Sequence, residues 1–138
     1  MSISFILFFF TAIFFQTKAQ TDSIGAAQTK TSEVYMFCSE MPTLKNKKYK
    51  TFNDYARANM VYPADVQKAH VTGVVFVQFI VKTDGSLSDV DIVKGRGLHP
   101  SCDQAALDVV SKSQWNPGVQ NGKPVDVRMI VKIFFDKK

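Results

Sequence analysis

Few residues in this 138-residue sequence are able to do acid–base, nucleophilic or metal chemistry. They are two histidines (His70 and His99), two cysteines (Cys38 and Cys102) and twelve carboxylates. Catalysis needs a nucleophile beside a base, or paired carboxylates in a cleft. His99 is followed by a proline on a loop, and His70 lies between a helical and a strand-like stretch, so neither stands in a motif with a partner. Asp89 and Asp91 fall on the outward face of a strand-like segment rather than in a cleft. No enzyme activity, catalytic residue or small-molecule substrate is therefore expected. Cys38, His70, His99 and Cys102 lack the ligand spacing of a zinc site, and "HPSC" alone is too sparse. Neither a metal nor a cofactor is expected.

The cysteines have a second possible use. An even count in a small exported chain favours a Cys38–Cys102 disulfide, with two unpaired thiols as the alternative. Closing so long a loop would stabilise the fold by about 4 kcal/mol on the chain-entropy model. Export is inferred from the opening "MSISFILFFFTAIFF". As a helix, Ile3–Phe15 would span about 20 Å, short of the roughly 30 Å of bilayer hydrocarbon. The small residues that follow make 1–19 read as a signal peptide cut before Gln20, although no lysine or arginine precedes the apolar run. An uncleaved inner-membrane anchor through residues 3–15 is the alternative. No lipobox-like cysteine lies near the cut, which argues against a lipid anchor. Cleavage would remove one charged residue, Lys18, and lower the formal net charge from +5 to +4. Such a charge suits solubility and a mild attraction to acidic partners, and gives no nucleic-acid signal. The densest basic run, "KNKKYK" at 45–50, reads as a solvated loop.

The elements that must position any working surface begin downstream. Residues 20–50 read as a flexible or partly ordered N-terminal segment, with "VYMFC" at 34–38 as a short strand or anchoring piece and "MPTLKNKKYK" as loop. The folded domain is placed at 51–138. Phe52, Tyr55 and Ala56 are spaced for a short amphipathic helix capped by Thr51, which Tyr62-Pro63 ends. From Gly73 the period changes to two, and Val75, Val77, Phe79 and Val81 share one face. "TDGS" at 83–86 signals a hairpin into "LSDVDIVK". "SCDQAALDVVSKSQW" reads as a helix with Ser101 and Gln104 as a capping box and Cys102, Ala105, Ala106, Val109 and Val110 as its apolar stripe. Pro117-Gly118 stops it, "NGKP" turns, and "VDVRMIVKIFF" forms the last strand. On that strand Val125, Val127, Met129, Val131, Ile133 and Phe135 face the core, while Asp126, Arg128, Ile130, Lys132 and Phe134 face outward. The order helix–strand–strand–helix–strand predicts an α+β domain, a three-stranded antiparallel sheet with two helices on one face.

The sequence of Tyr-Pro, Gly73, an Asp-Gly hairpin, an Ala-Ala helix and "WNPG" followed by "NGKPVDVRMIVKIFF" resembles the C-terminal domain of TonB, in particular short energy-transducer forms from double-membraned bacteria. The resemblance covers residues 58–135. It implies structural roles for Gly73, Gly85, Trp115, Pro117 and Gly118, with Trp115 packed in the core and the Pro-Gly corner turning the chain into the last strand. A lone large aromatic at a helix end is suited to that work.

The resemblance also implies a periplasmic peptide-binding module. A TonB-box segment of an outer-membrane TonB-dependent receptor would add as a strand to an exposed sheet edge, backbone groups giving affinity and alternating side chains giving selectivity. The matching positions are Asp126, Arg128, Ile130, Lys132 and Phe134. Arg128 and Lys132 suit an acidic peptide, and Ile130 and Phe134 offer apolar contacts. Asn59, Met60, Tyr62 and Pro63 match a second region that contacts receptors. The chain departs from the anchored transducers in lacking a long membrane helix, a Pro-rich spacer and the Gly-Gly that often follows Met-Pro. Association with another transducer component, or self-pairing into a homodimer through the exposed edge, is the alternative reading.

Overall fold

The computed structural model describes residues 32–136. The expected signal peptide, and residues 20–31 of the expected N-terminal segment, lie outside the described residues. The elements in chain order are β1 (Val34–Tyr35), β2 (Thr43–Leu44), α1 (Phe52–Asn59), α2 (Ala64–Lys68), β3 (Gly73–Val81), β4 (Leu87–Ile92), α3 (Pro100–Ser111), β5 (Trp115–Asn116), β6 (Gly118–Gln120) and β7 (Lys123–Phe135). Among the described residues no helix is long and apolar enough to cross a membrane.

The α+β class stands, but the sheet is larger than expected. β7, β3 and β4 form the antiparallel centre, β1 joins β7 in parallel, and β6 pairs with the beginning of β7, which makes a mixed five-stranded sheet. A separate two-stranded ladder joins β2 to β5, with Thr43 opposite Asn116 and Leu44 opposite Trp115. Four of these strands have only two or three residues, too short for a period of two to register in sequence. The stretch around Met41–Leu44, expected as loop, is thus tied to the corner after α3. It is further held there by the Glu40–Val119 bridge, whose two N–H···O bonds measure 2.9 and 2.8 Å.

Local chemistry explains the boundaries. Thr51 Oγ1 accepts the Asp54 N–H at 3.2 Å while the Asp54 carboxylate accepts the Thr51 N–H at 3.1 Å, a reciprocal cap that starts α1. The chain leaves α1 at Met60, and after Pro63 a further one-turn helix, α2, buries Val66 completely. The expected capping box at Ser101 is corrected. His99 is the N-cap, its Nδ1 accepting the Ser101 N–H at 3.2 Å, and Pro100 takes the first helical position, where a missing N–H costs nothing. Ser101 Oγ donates instead to Asp65, and Gln104 reaches forward to Asp108.

The β3–β4 turn needs three residues rather than two. Gly85 N–H donates to Lys82 O, Lys82 N–H donates to Ser86 O, both at 2.8 Å, and Gly85 alone has a positive φ (+84°). A Cβ there would stand 2.4 Å from the Trp115 carbonyl oxygen, so the hairpin tip and the tryptophan corner touch backbone to backbone. Asn121 and Gly122, both at positive φ, make the tight turn from β6 into β7.

The core lies between the sheet and α1, α2 and α3. Val75, Val77, Phe79 and Val81 of β3 and Val131, Ile133 and Phe135 of β7 meet Tyr55, Ala56, Val66, Cys102, Ala106, Val109 and Val110. Each fully buried side chain of this size contributes about 1.5–3 kcal/mol through lost water contact. Trp115 is buried here, 5.3 Å from the Phe79 ring and stacked at 5.7 Å on Phe52, with its Nε1–H donating to Ser113 Oγ at 2.8 Å.

The expected Cys38–Cys102 disulfide is also corrected, because both thiols are free. Cys102 is sealed in the core face of α3, where burial pushes its thiol pKa up. Cys38 packs elsewhere, beside Gly118, with its Sγ–H donating to Glu40 O at 2.9 Å.

Candidate functional site

The candidate surface is defined by the direction in which β7's backbone groups point. Phe76 N–H donates to Arg96 O at 3.2 Å and Phe76 O accepts the Val93 N–H at 2.9 Å, while Lys82 N–H bonds Ser86 O. The even-numbered residues of β3 therefore use their backbone groups toward β4 and the odd-numbered ones toward β7. In the β3–β7 register Val75 faces Ile133, Val77 faces Val131, Phe79 faces Met129 and Val81 faces Val127, and these are the hydrogen-bonded pairs. The intervening pairs set Val74 against Phe134, Phe76 against Lys132, Gln78 against Ile130 and Ile80 against Arg128. On β7, the N–H and C=O of Arg128, Ile130, Lys132 and Phe134 consequently point away from β3.

Part of that outer edge is covered. β1 takes Asp126 and Val127, and because Val127 turns to β3 the Tyr35 pairing uses the Arg128 N–H; β6 pairs with Lys123–Val125 on the β3 side. From Arg128 to Phe135, about 24 Å of strand, no described residue pairs with it. The outward side chains belong to the same four residues whose backbone groups point away from β3. Ile130 is 52 % and Phe134 37 % exposed, unusual for large apolar side chains on a strand. Lys132 Nζ and the Arg96 guanidinium both sit over the Phe76 ring, at 5.8 and 5.4 Å. Neither Arg128 nor Lys132 forms a salt bridge with a described residue. The strip is cationic and apolar in alternation.

Asp126, expected among the outward binding residues, is corrected. Its side chain is almost wholly buried and holds three chain segments together, accepting from Ser32 Oγ at 2.5 Å, Lys82 Nζ at 2.8 Å and the Thr83 N–H at 2.9 Å. Burial alone would raise its pKa, but the donors from Lys82, Ser32 and Thr83 outweigh that and hold the carboxyl below its ordinary value. The matching Lys82 ammonium is held above its ordinary value by the same contact. An Asp just after a turn signal gave no hint of this, because its partners lie 43 to 94 residues away in sequence.

The second group of expected residues is brought together in part. Asn59, Met60 and Pro63 line a groove of about 500 Å³ between the end of α1 and the outer side of α3, with exposed Val61 among them. Tyr62 turns the other way. Its ring packs 5.7 Å from Phe135, and its hydroxyl donates to Val71 O at 3.4 Å, which ties this loop to the far end of the open edge. Gly73 begins β3 against Leu98, and Gly118 lies so close to Val127 and Cys38 that a Cβ would meet them at 2.5 and 3.0 Å. Pro117 stands beside Gly85 at the tryptophan corner. Among the described residues no cluster of His, Cys, Asp and Glu is arranged to hold a metal. Sequence reasoning offered a short strand within 34–38 but neither its pairing with β7 nor the exposure of Met36 and Phe37, for a two-residue strand carries no periodic signal.

The family model described as the Gram-negative bacterial TonB protein C-terminal matches residues 58–136. Among solved structures, the chain is similar to the Helicobacter pylori TonB C-terminal domain (residues 179–285), at 22 % identity and a TM-score of 0.47, covering 61 % of this chain and 75 % of that one. It is similar also to the Pseudomonas aeruginosa TonB C-terminal domain, at 27 % identity and a TM-score of 0.45, covering 57 % and 79 %. No curated protein matches. The matched family is transport-associated and non-enzymatic, and its members interact with outer-membrane TonB-dependent receptors from the periplasm. With more than half of its length matched, the chain belongs to the TonB C-terminal domain family.

Proposed function

We propose that this protein is an exported periplasmic module that docks onto TonB-box segments of outer-membrane TonB-dependent receptors by β-strand addition along Arg128–Phe135. The observation that carries the reading is the coincidence on β7 of three open N–H groups (Ile130, Lys132 and Phe134) and four open C=O groups with the four outward side chains of Arg128, Ile130, Lys132 and Phe134. An added strand satisfies those backbone groups, whatever its sequence. Selectivity then comes from the side chains that alternate onto the same face. Arg128 and Lys132 favour carboxylates spaced four residues apart on the peptide, with an apolar residue between them to meet Ile130. The groove beside Asn59, Met60 and Pro63 offers a second receptor contact.

The test is a backbone-amide NMR titration of the purified protein with TonB-box peptides from receptors of the same genome. Strand addition shifts the amides of Arg128–Phe135 and slows their hydrogen exchange. No shift at millimolar peptide rejects the reading.

The same edge supports a second reading, self-pairing. If two copies pair antiparallel about Val131, Arg128 faces Phe134 and Ile130 faces Lys132 of the other copy, so no like charges stand directly opposite. Sedimentation over a hundredfold concentration range separates the two.

A further inference from the structure

We propose that Phe37, with Met36, forms an apolar seat beside the Arg128 end of the open edge, where it grips an apolar side chain flanking the strand-paired part of the bound peptide. This rests on the edge-docking reading and adds to it a register-setting contact supplied by the N-terminal segment. Tyr35 stands opposite Val127 in the β1–β7 ladder, and the chain leaves the edge at Met36. The open edge starts at the next β7 residue, Arg128. Any peptide laid along it, in either direction, has one end butting against this departure point.

What stands there is unusual. Phe37 is 83 % exposed and Met36 54 %, the former the most exposed large apolar side chain among the described residues. The segment is pinned on both sides. Before it, Tyr35 is paired to β7. After it, Ser39 gives its N–H and hydroxyl to Gln120 Oε1 at 2.8 and 3.0 Å, and Glu40 bridges Val119. In the three-residue span between these anchors Cys38 turns in beside Gly118, while Met36 and Phe37 are left displayed to solvent. A rigidly displayed Phe–Met pair has the character of a contact surface, the aromatic giving area and the thioether adapting its shape. The occupant fitting both this seat and the cationic strip is an acidic-and-aliphatic segment of a receptor, with a large apolar residue just beyond its paired stretch. A partner lacking the acidic strand gains nothing from Arg128 and Lys132.

The experiment uses the purified full chain and three synthetic peptides: an eight-residue core alternating acidic and aliphatic residues, and the same core extended by Gly-Leu at its C-terminus or by Leu-Gly at its N-terminus. Calorimetry or fluorescence anisotropy is read for wild type, Phe37→Ala and Phe37→Leu. One extension is expected to bind about tenfold tighter than the core, in line with a buried apolar anchor. Phe37→Ala should abolish that gain while leaving core binding unchanged, and Phe37→Leu should restore part of it. The end that responds reports the peptide's direction relative to β7. If the core binds but neither extension helps, or if Phe37→Ala weakens all three peptides equally, the seat is refuted and edge docking survives. If the core itself fails to bind wild type, both fall.

Discussion

Proline at position 130 gives a sharp test of the open edge, because the register says which N–H it removes. Ile130 sits in a non-hydrogen-bonded pair with Gln78, so its N–H faces the open side and Ile130→Pro leaves the β3–β7 ladder intact. Proline is tolerated in sheets when the missing N–H faces solvent. The variant is therefore expected to fold, with a stability loss of about 1 kcal/mol from strand propensity. Peptide binding should suffer more. One backbone hydrogen bond has a net worth of about 1 kcal/mol, and the peptide carbonyl left without a donor costs about another. Together that is about 2 kcal/mol, or about thirtyfold in affinity. Ile130→Ala separates the side chain's own share.

The control is Val131→Pro. The Val131 N–H belongs to a hydrogen-bonded pair with Val77, so its loss removes a ladder bond at the sheet's centre and destabilises the fold far more than Ile130→Pro. Circular dichroism and urea unfolding measure stability, and anisotropy with a labelled acidic peptide measures binding. Should Ile130→Pro unfold like Val131→Pro, the derived orientation of β7 is wrong. Should it fold and bind at wild-type affinity, β7 is not the docking edge.

Four further outcomes are expected. Asp126 contributes stability that is complete above the unfolded carboxyl value near about 4 and is lost as pH falls toward its lower folded value. Asp126→Asn should accordingly be less stable than wild type at pH 7 by roughly 2–4 kcal/mol, and urea midpoints at pH 7 and pH 3 should show the gap narrowing in acid. Trp115→Ala removes the ring shared by Phe52 and Phe79 and should cost about 3–5 kcal/mol in denaturant unfolding. Gly85→Ala combines a positive φ with a clash against the Trp115 carbonyl and should destabilise by at least 1–3 kcal/mol, readable as a lower Tm. Alkylation of the native protein should label Cys38 while sparing Cys102 until denaturant is added, and non-reducing mass analysis should find two thiols.

The parts of the fold legible in sequence were those with enough length to be periodic. β3 and β7, at nine and thirteen residues, declare their buried faces through alternation, and α1 through Thr51 and its apolar spacing. His99 was passed over as a cap because Ser101 and Gln104 offered the commoner pattern. Only the geometry shows Pro100 already occupying the first helical position. The outward positions on β7 follow from parity once the strand is recognised, which is why Arg128, Ile130, Lys132 and Phe134 could be named beforehand. Parity failed at Asp126. There the alternation is right, but the N-terminal strand and the hairpin end close over the side chain, and contacts so distant in sequence leave no local trace. The disulfide expectation failed for a related reason, since cysteine counting carries no information about which layer each thiol enters.

β1 and the open stretch share one edge of β7, and this has a mechanical consequence. Tension on the chain above Ser32 bears first on two ladder residues and on the Ser32–Asp126 hydrogen bond, a small attachment compared with the nine-position register between β7 and β3. A pull that strips β1 away leaves the central sheet standing and uncovers two more positions of β7. The strip available to a bound strand then grows under load from eight residues to ten, so force drawn through this end of the protein works with the docking edge rather than against it.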